Sequence, residues 1–237
     1  MENQKLQKEN TKVTVTKNNK TALVFGGTGL VGEHLVRELA MHDNYETVKT
    51  FGRREVGLKY PKVEEIIVDF DRLEEYDGEI KGEDLFICLG TTIKKAGSQE
   101  AFRRVDFEYI YRAAQIAAEN KVNQILLISS AGADVNSSNF YSRTKGQTEE
   151  AVKKLDFWAT RIFQPSLLLG DRDENRTAES FAQSVGKFFN KFTTDLFDLY
   201  QPVEAENVAR AMVLAAQGTV GGLHIYQSHE IRKQGAV

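Results

Sequence analysis

The sequence has one cysteine in 237 residues, Cys88, so no intramolecular disulfide framework can staple it. A reducing compartment follows, and the location expected from it is cytoplasmic. Cys88 lies in the apolar run Leu85-Phe86-Ile87-Cys88-Leu89, the setting of a buried inert thiol rather than a nucleophile. Four histidines, His34, His42, His224 and His229, show no metal-ligand spacing among themselves or with Cys88, so no metal is expected. Charge of one sign is also missing. The 31 basic and 34 acidic residues leave a net charge of -3, which excludes the electrostatic footprint of a nucleic-acid partner. No run of about eighteen apolar residues occurs, which removes a transmembrane span. Residues 1–20 are polar and lysine-bearing without an apolar centre; they predict a disordered extension rather than a secretory signal. No internal repeat or low-complexity segment interrupts the rest.

What is present begins with Thr21-Ala22-Leu23-Val24-Phe25, followed by a glycine cluster and then apolar residues at helical spacing, Leu30, Val31, Leu35, Val36 and Leu39. A buried strand turns sharply into a helix there. Gly27, Gly29 and Gly32 have the G-x-G-x-x-G spacing: the first permits a tight turn, the second a close approach of pyrophosphate, the third close packing of helix on strand. The helix N-terminus adds free N–H groups and a positive dipole end. Cofactor-binding candidates are therefore Gly26, Gly27, Thr28, Gly29, Leu30, Val31 and Gly32. Among eighteen glycines such spacing also arises by chance, and a glycine turn that binds nothing is the competing reading.

Further strands are predicted at 47–51, 64–68, 85–89, 122–128, 157–163 and 222–226, alternating with helices at 98–120, 140–155 and 204–216. Hydrophobic content of 41% suffices for one large core. The alternation gives an α/β fold, a doubly wound parallel sheet, over residues 21–237. The second strand ends in Gly52-Arg53-Arg54. An acid at this point accepts from the ribose 2′-hydroxyl of NAD, whereas an arginine suits the 2′-phosphate of NADP. Arg53 and Arg54 favour NADP(H), with NAD(H) still open and solvated loop arginines as the plain alternative. Asp69, after the third strand, is placed to cap or to face an adenine. Leu89, Gly90, Thr91 and Thr92 make a small polar tip over which a cofactor could cross.

Tyr141 and Lys145 stand at i and i+4, so they share one helix face. Tyr45 and Lys49 repeat the spacing by chance, but in the approach to a strand. A tyrosine needs a nearby ammonium to act as an acid-base near neutral pH, and Ser130 at the end of the preceding strand could orient a substrate oxygen. Ser130, Tyr141 and Lys145 are thus the catalytic candidates, weighed against a surface pair and a strand-capping serine. Residues 178–199 read as helical and phenylalanine-rich, for the most part core.

Gly-Gly-Thr-Gly-Leu-Val-Gly at 26–32, the Ser130, Tyr141, Lys145 set and Pro165 after the sixth strand resemble the short-chain dehydrogenase/reductase superfamily. Cys88-Leu89-Gly90-Thr91-Thr92, Lys95-Ala96-Gly97, Val105-Asp106, residues 129–134 and Ser138-Asn139-Phe140-Tyr141 resemble its atypical Tat-interacting-protein-like subgroup. The resemblance spans residues 21–228. It implies an NADP(H)-binding Rossmann domain with a small carboxyl-terminal substrate lobe at 171–203, Asp69 by the adenine, and Pro165 and Ser166 bordering the nicotinamide. One departure stands out: the superfamily's asparagine in the fourth helix is Asp106 here, which puts its backbone proton relay in doubt. The function expected is an NADP(H)-dependent oxidoreductase acting on the carbonyl or alcohol of a small molecule. An NADP(H)-binding regulator or scaffold with a protein partner is the rival, and a sugar-nucleotide epimerase or dehydratase a weaker third.

Overall fold

The computed structural model describes residues 18–170 and 201–236. Among the described residues nine strands run β1 Lys20–Phe25, β2 Tyr45–Gly52, β3 Val63–Ile67, β4 Asp84–Ile87, β5 Gln124–Ile128, β6 Ala159–Gln164, β7 Leu168–Leu169, β8 Val203–Glu204 and β9 Gly222–Gln227. Helices are α1 Leu30–Met41, α2 Ile93–Ala96, α3 Gln99–Arg103, α4 Ile110–Glu119, α5 Phe140–Val152, α6 Ala205–Ala216 and α7 Ser228–Gly235. Seven strands form one parallel sheet in the order β3-β2-β1-β4-β5-β6-β9. This is the doubly wound architecture expected. β7 and β8 pair separately. Residues 178–199, and all of the expected lobe but Gln201, Pro202 and Val203, lie outside the described residues.

The continuous apolar runs follow from a sheet covered on both faces. Along β1, Ala22 and Val24 enter one core with α1 and α6, whereas Leu23 and Phe25 enter the other with α4. Every one of these four is fully buried. The chain order reverses between β1 and β4, and the register pairs Phe25 with Ile87. The glycine turn after β1 and the loop after β4 therefore lie side by side at the carboxyl edge, where open α/β sheets bind ligands.

Two expectations need correction. Lys20, assigned to the disordered extension, is the first residue of β1 and only 2% exposed. Its Nζ donates to Asp84 Oδ2 at 3.0 Å and to the Ala216 carbonyl at 3.1 Å. An ammonium with an internal carboxylate and a helix C-terminal carbonyl gains more from order than from solvent. The helix expected at 98–120 is interrupted by a π turn, Arg104–Tyr109. There the Asp106 carbonyl accepts from Thr148 Oγ1 at 2.7 Å, a tertiary bond that sequence periodicity does not register. Ser98 does cap α3, accepting from the Ala101 N–H.

Tyr45 supports a pH prediction. Burial, then the charge of Asp84 and the hydrogen bond to it, hold its phenol well above the ordinary value of 10.0. The unfolded chain thus releases this proton at lower pH than the native one, and stability falls as pH rises above about 10. Tyr45→Phe is expected to reduce that slope by up to about 1.4 kcal/mol per pH unit. Urea unfolding between about pH 8 and 11 checks this, and an unchanged slope overturns it.

Candidate functional site

The glycine turn is shaped partly by the fold and partly by what it leaves open. Gly26 has φ +90°, and a Cβ there would meet the Cys88 carbonyl carbon at 2.6 Å. A Cβ on Gly32 would meet the Gly26 oxygen at 2.1 Å. The fold itself demands glycine at both positions. At Gly29 a Cβ would have only a slight tightness, 3.2 Å from the Gly26 oxygen, with ordinary φ of -83°. Gly29 is the N-cap of α1 and carries no capping side chain, so the helix end presents backbone N–H groups to the crevice. This bare, positive helix end fits a pyrophosphate. Gly32→Ala forces α1 off the turn: about 1–3 kcal/mol of overpacking is expected, with loss of the thermal shift produced by dinucleotide. A full shift in that variant would contradict this geometry.

Arg53 and Arg54 are exposed in the loop after β2. Glu65 shapes that loop by accepting from the Val56 and Gly57 N–H groups at 2.5 and 3.1 Å. Asp69 follows β3 and caps a 3₁₀ segment, Phe70–Glu79, accepting from the Asp71 N–H. Beside it Phe70 stacks on Tyr109 with centroids 5.2 Å apart, and Tyr109 donates to Asp71 Oδ1 at 2.8 Å. Sequence reasoning missed Tyr109, because nothing in spacing joins it to Asp71. Burial first, then the Asp71 hydrogen bond and charge, raises its phenol, while Arg104 and Arg53 act in opposition. Arg53 is thus within electrostatic reach of Tyr109.

The other end is built from β4, β5, β6 and α5. Asn139 caps α5 by accepting from the Ser142 N–H. The helix then carries Tyr141, Lys145 and Glu149 one turn apart on one face. Tyr141 is half-buried with its ring against Phe102 at 5.5 Å. Lys145 is buried, and its Nζ lies 2.7 Å from Asp106 Oδ1. Asp106 Oδ2 in turn accepts from the Thr91 N–H at 2.9 Å. A Cβ on Gly90 would sit 3.4 Å from Asp106 Oδ1 and 3.7 Å from Lys145 Nζ, so the ammonium reaches the tip of β4. Burial works against the Lys145 ammonium, but Asp106, Tyr141 and Glu149 outweigh it and hold its pKa above the ordinary lysine value. Burial pushes the Asp106 carboxyl up, against the pull of Lys145 and the Thr91 N–H.

Thr92 caps α2 by accepting from the Lys95 N–H, and Leu89 packs on the core. Ser130 is buried at the end of β5, with Oγ donating to the Ala131 carbonyl at 3.2 Å. The neighbouring Ser129 donates to Glu149 Oε1 at 2.5 Å, and Gln164 Nε2 donates to both Glu149 oxygens. Glu149 was also missed, although its i+4 spacing from Lys145 could have pointed to it. Pro165 and Ser166 reach the same edge after β6. The Ser166 N–H donates to Ser228 Oγ and its hydroxyl to the Gln201 carbonyl, both at 2.6 Å, so this serine is tied into the scaffold. The predicted residues thus follow successive strands along the carboxyl edge of the sheet: Arg53, Arg54 and Asp69 after β2 and β3, Gly90–Thr92, Ser130 and Pro165 after β4, β5 and β6, with Tyr141 and Lys145 on α5.

Cys88 is half-buried at the end of β4, and burial pushes its thiol up. Among the described residues no group of three His, Cys, Asp or Glu side chains could hold a metal. No described helix is long and apolar enough to cross a membrane.

The sheet order, the glycine turn at the reversal point and the bare end of α1 define a dinucleotide-binding α/β protein. NAD(P)H-binding domains as a family match residues 26–187. Protein HTATIP2 of Rattus norvegicus is 36% identical over 82% of this chain and 80% of its own length. The mitochondrial protein FMP52 of Candida albicans is 32% identical over 85% of this chain and 90% of its own. The fold is also that of MoeE5, solved with UDP-glucuronic acid and NAD: TM-score 0.69 at 17% identity, covering 91% of this chain and 81% of that one. The chain belongs to the NAD(P)H-binding family, within the atypical short-chain dehydrogenase/reductase group that resembles Tat-interacting proteins.

These relatives overturn the cytoplasmic location, since yeast members are named mitochondrial proteins. The physical reason is plain. A lone half-buried thiol excludes a disulfide framework but does not distinguish one reducing compartment from another.

Proposed function

We propose that this protein is an NADP(H)-dependent oxidoreductase that interconverts a carbonyl and an alcohol on a small molecule. The observation that carries the reading is the buried Lys145 ammonium at the tip of β4, on the same α5 face as the half-buried Tyr141. NADPH, when bound, would supply the hydride for the carbonyl carbon. Tyr141 gives its hydroxyl proton to the carbonyl oxygen, and takes it back from the alcohol in the reverse direction. Lys145 holds positive charge beside that tyrosine and toward the nicotinamide ribose, while Ser130 orients the reacting oxygen. Arg53 and Arg54 would meet the 2′-phosphate, with Asp69 at the adenine. The names of the yeast relatives support a mitochondrial setting.

Thermal shift with NADPH beside NADH tests the cofactor. A ligand at about 100 times its Kd adds about 2.7 kcal/mol, or about 5–11 °C for a chain of this size. NADPH is expected to give the larger shift, and Arg53→Ala with Arg54→Ala to erase the difference. Equal shifts in the wild type overturn the NADP preference, and no shift with either overturns the cofactor. Carbonyl-dependent NADPH oxidation over a panel of aldehydes and ketones tests the chemistry. Tight NADPH binding with no turnover across the panel returns the regulatory reading.

A further inference from the structure

The superfamily pattern has an asparagine where this chain has Asp106, and the structure gives that carboxylate one ion pair and one hydrogen bond. One oxygen is 2.7 Å from Lys145 Nζ and the other accepts from the Thr91 N–H at 2.9 Å. Asp106 is fully buried, and its backbone is fixed independently by Thr148 Oγ1 in the π turn. Such turns within helices recur at functional sites. We propose that Asp106 is a positioning residue: its carboxylate keeps Lys145 charged and ties the ammonium to the cofactor-crossing loop at Gly90–Thr91 before dinucleotide arrives. The inference rests on the oxidoreductase reading, because it assumes that Lys145 meets the cofactor.

The charge balance explains why a carboxylate matters here. The titratable groups acting on Lys145 are Asp106 from the π turn, and Tyr141 and Glu149 from its own helix. Gly90 from the β4 loop presents backbone only. Glu149 is already occupied by Ser129, Gln164 and, at 3.8 Å, Lys153. Removing the Asp106 charge leaves a buried ammonium without its contact counter-charge, and a buried lysine in that state loses its proton several pH units early.

The test is the pH dependence of the NADPH Kd, measured by cofactor fluorescence between about pH 7 and 9.5, above the second ionisation of the 2′-phosphate near 6. Wild type is expected to bind with a nearly flat profile. Asp106→Asn, which keeps the shape, is expected to lose affinity by about tenfold or more across that window as Lys145 discharges. Adding Lys145→Met to it should make binding weak but flat. A merely structural role would weaken binding equally at all pH values, so parallel profiles for wild type and Asp106→Asn overturn the proposal. Absence of NADPH binding to wild type overturns the oxidoreductase reading and this inference together. Should Asp106→Asn not fold, NMR of wild-type protein carrying [ε-13C]lysine decides, with Lys145→Gln assigning the resonance. Lys145 is expected to remain an ammonium after the solvent-exposed lysines titrate, and titration with or before those overturns the proposal.

Discussion

Asp84→Ala is expected to destabilise the native state by about 3–5 kcal/mol, lowering the unfolding midpoint by roughly 6–20 °C. The carboxylate lies at the amino end of β4, on the side of the sheet away from the cofactor crevice. It accepts from Lys20 Nζ at 3.0 Å, Tyr45 Oη at 2.5 Å and Gln124 Nε2 at 2.8 Å. Lys20 and Asp84 side chains are each 2% exposed. Without the carboxylate, the ammonium keeps the Ala216 carbonyl but no counter-charge, and that is the costly half of breaking a buried pair. Asp84→Asn retains an acceptor and is expected to lose less. Urea or thermal unfolding reads both, and a loss below about 1 kcal/mol for the alanine variant would show that water replaces the carboxylate. Four strand starts and one helix end meet in this network, so its loss is expected to loosen the sheet as a whole.

Tyr141→Phe is expected to lower NADPH-dependent turnover by about 10²–10⁴-fold, the usual contribution of a positioned acid-base. The reason is local. The ring packs against Phe102, and phenylalanine retains that contact, so the thermal shift with NADPH should persist while the proposed proton donor is gone. Single-turnover NADPH oxidation measures the loss. A variant with wild-type rates would remove Tyr141 from the chemistry without touching the cofactor assignment.

Much of the scaffold was legible because it is written in local pattern. Thr21 to Phe25 followed by glycines and a helical stripe specifies β1, a turn and α1 before any tertiary contact is known. Ser98 and Asn139 mark their helix starts because a capping side chain acts within three residues. Tyr141 and Lys145 share a face because helical geometry puts i and i+4 together. The short C-terminal helix α7 and the 3₁₀ segment after Asp69 escaped notice, being short and weakly periodic.

The sequence by itself determined the seven strands of the main sheet along the chain, the doubly wound class and which residues follow those strands at the carboxyl edge. Those properties depend on hydrophobic period and turn chemistry, which are read within a few residues. Only the tertiary structure decided that Lys20 belongs to a buried network, that Asp106 grips Lys145 and that Glu149 joins Ser129 to Gln164. Each of these pairs is distant along the chain. Whether a charged side chain is solvated or buried beside its opposite depends on which strands and helices become neighbours, and sheet order settles that.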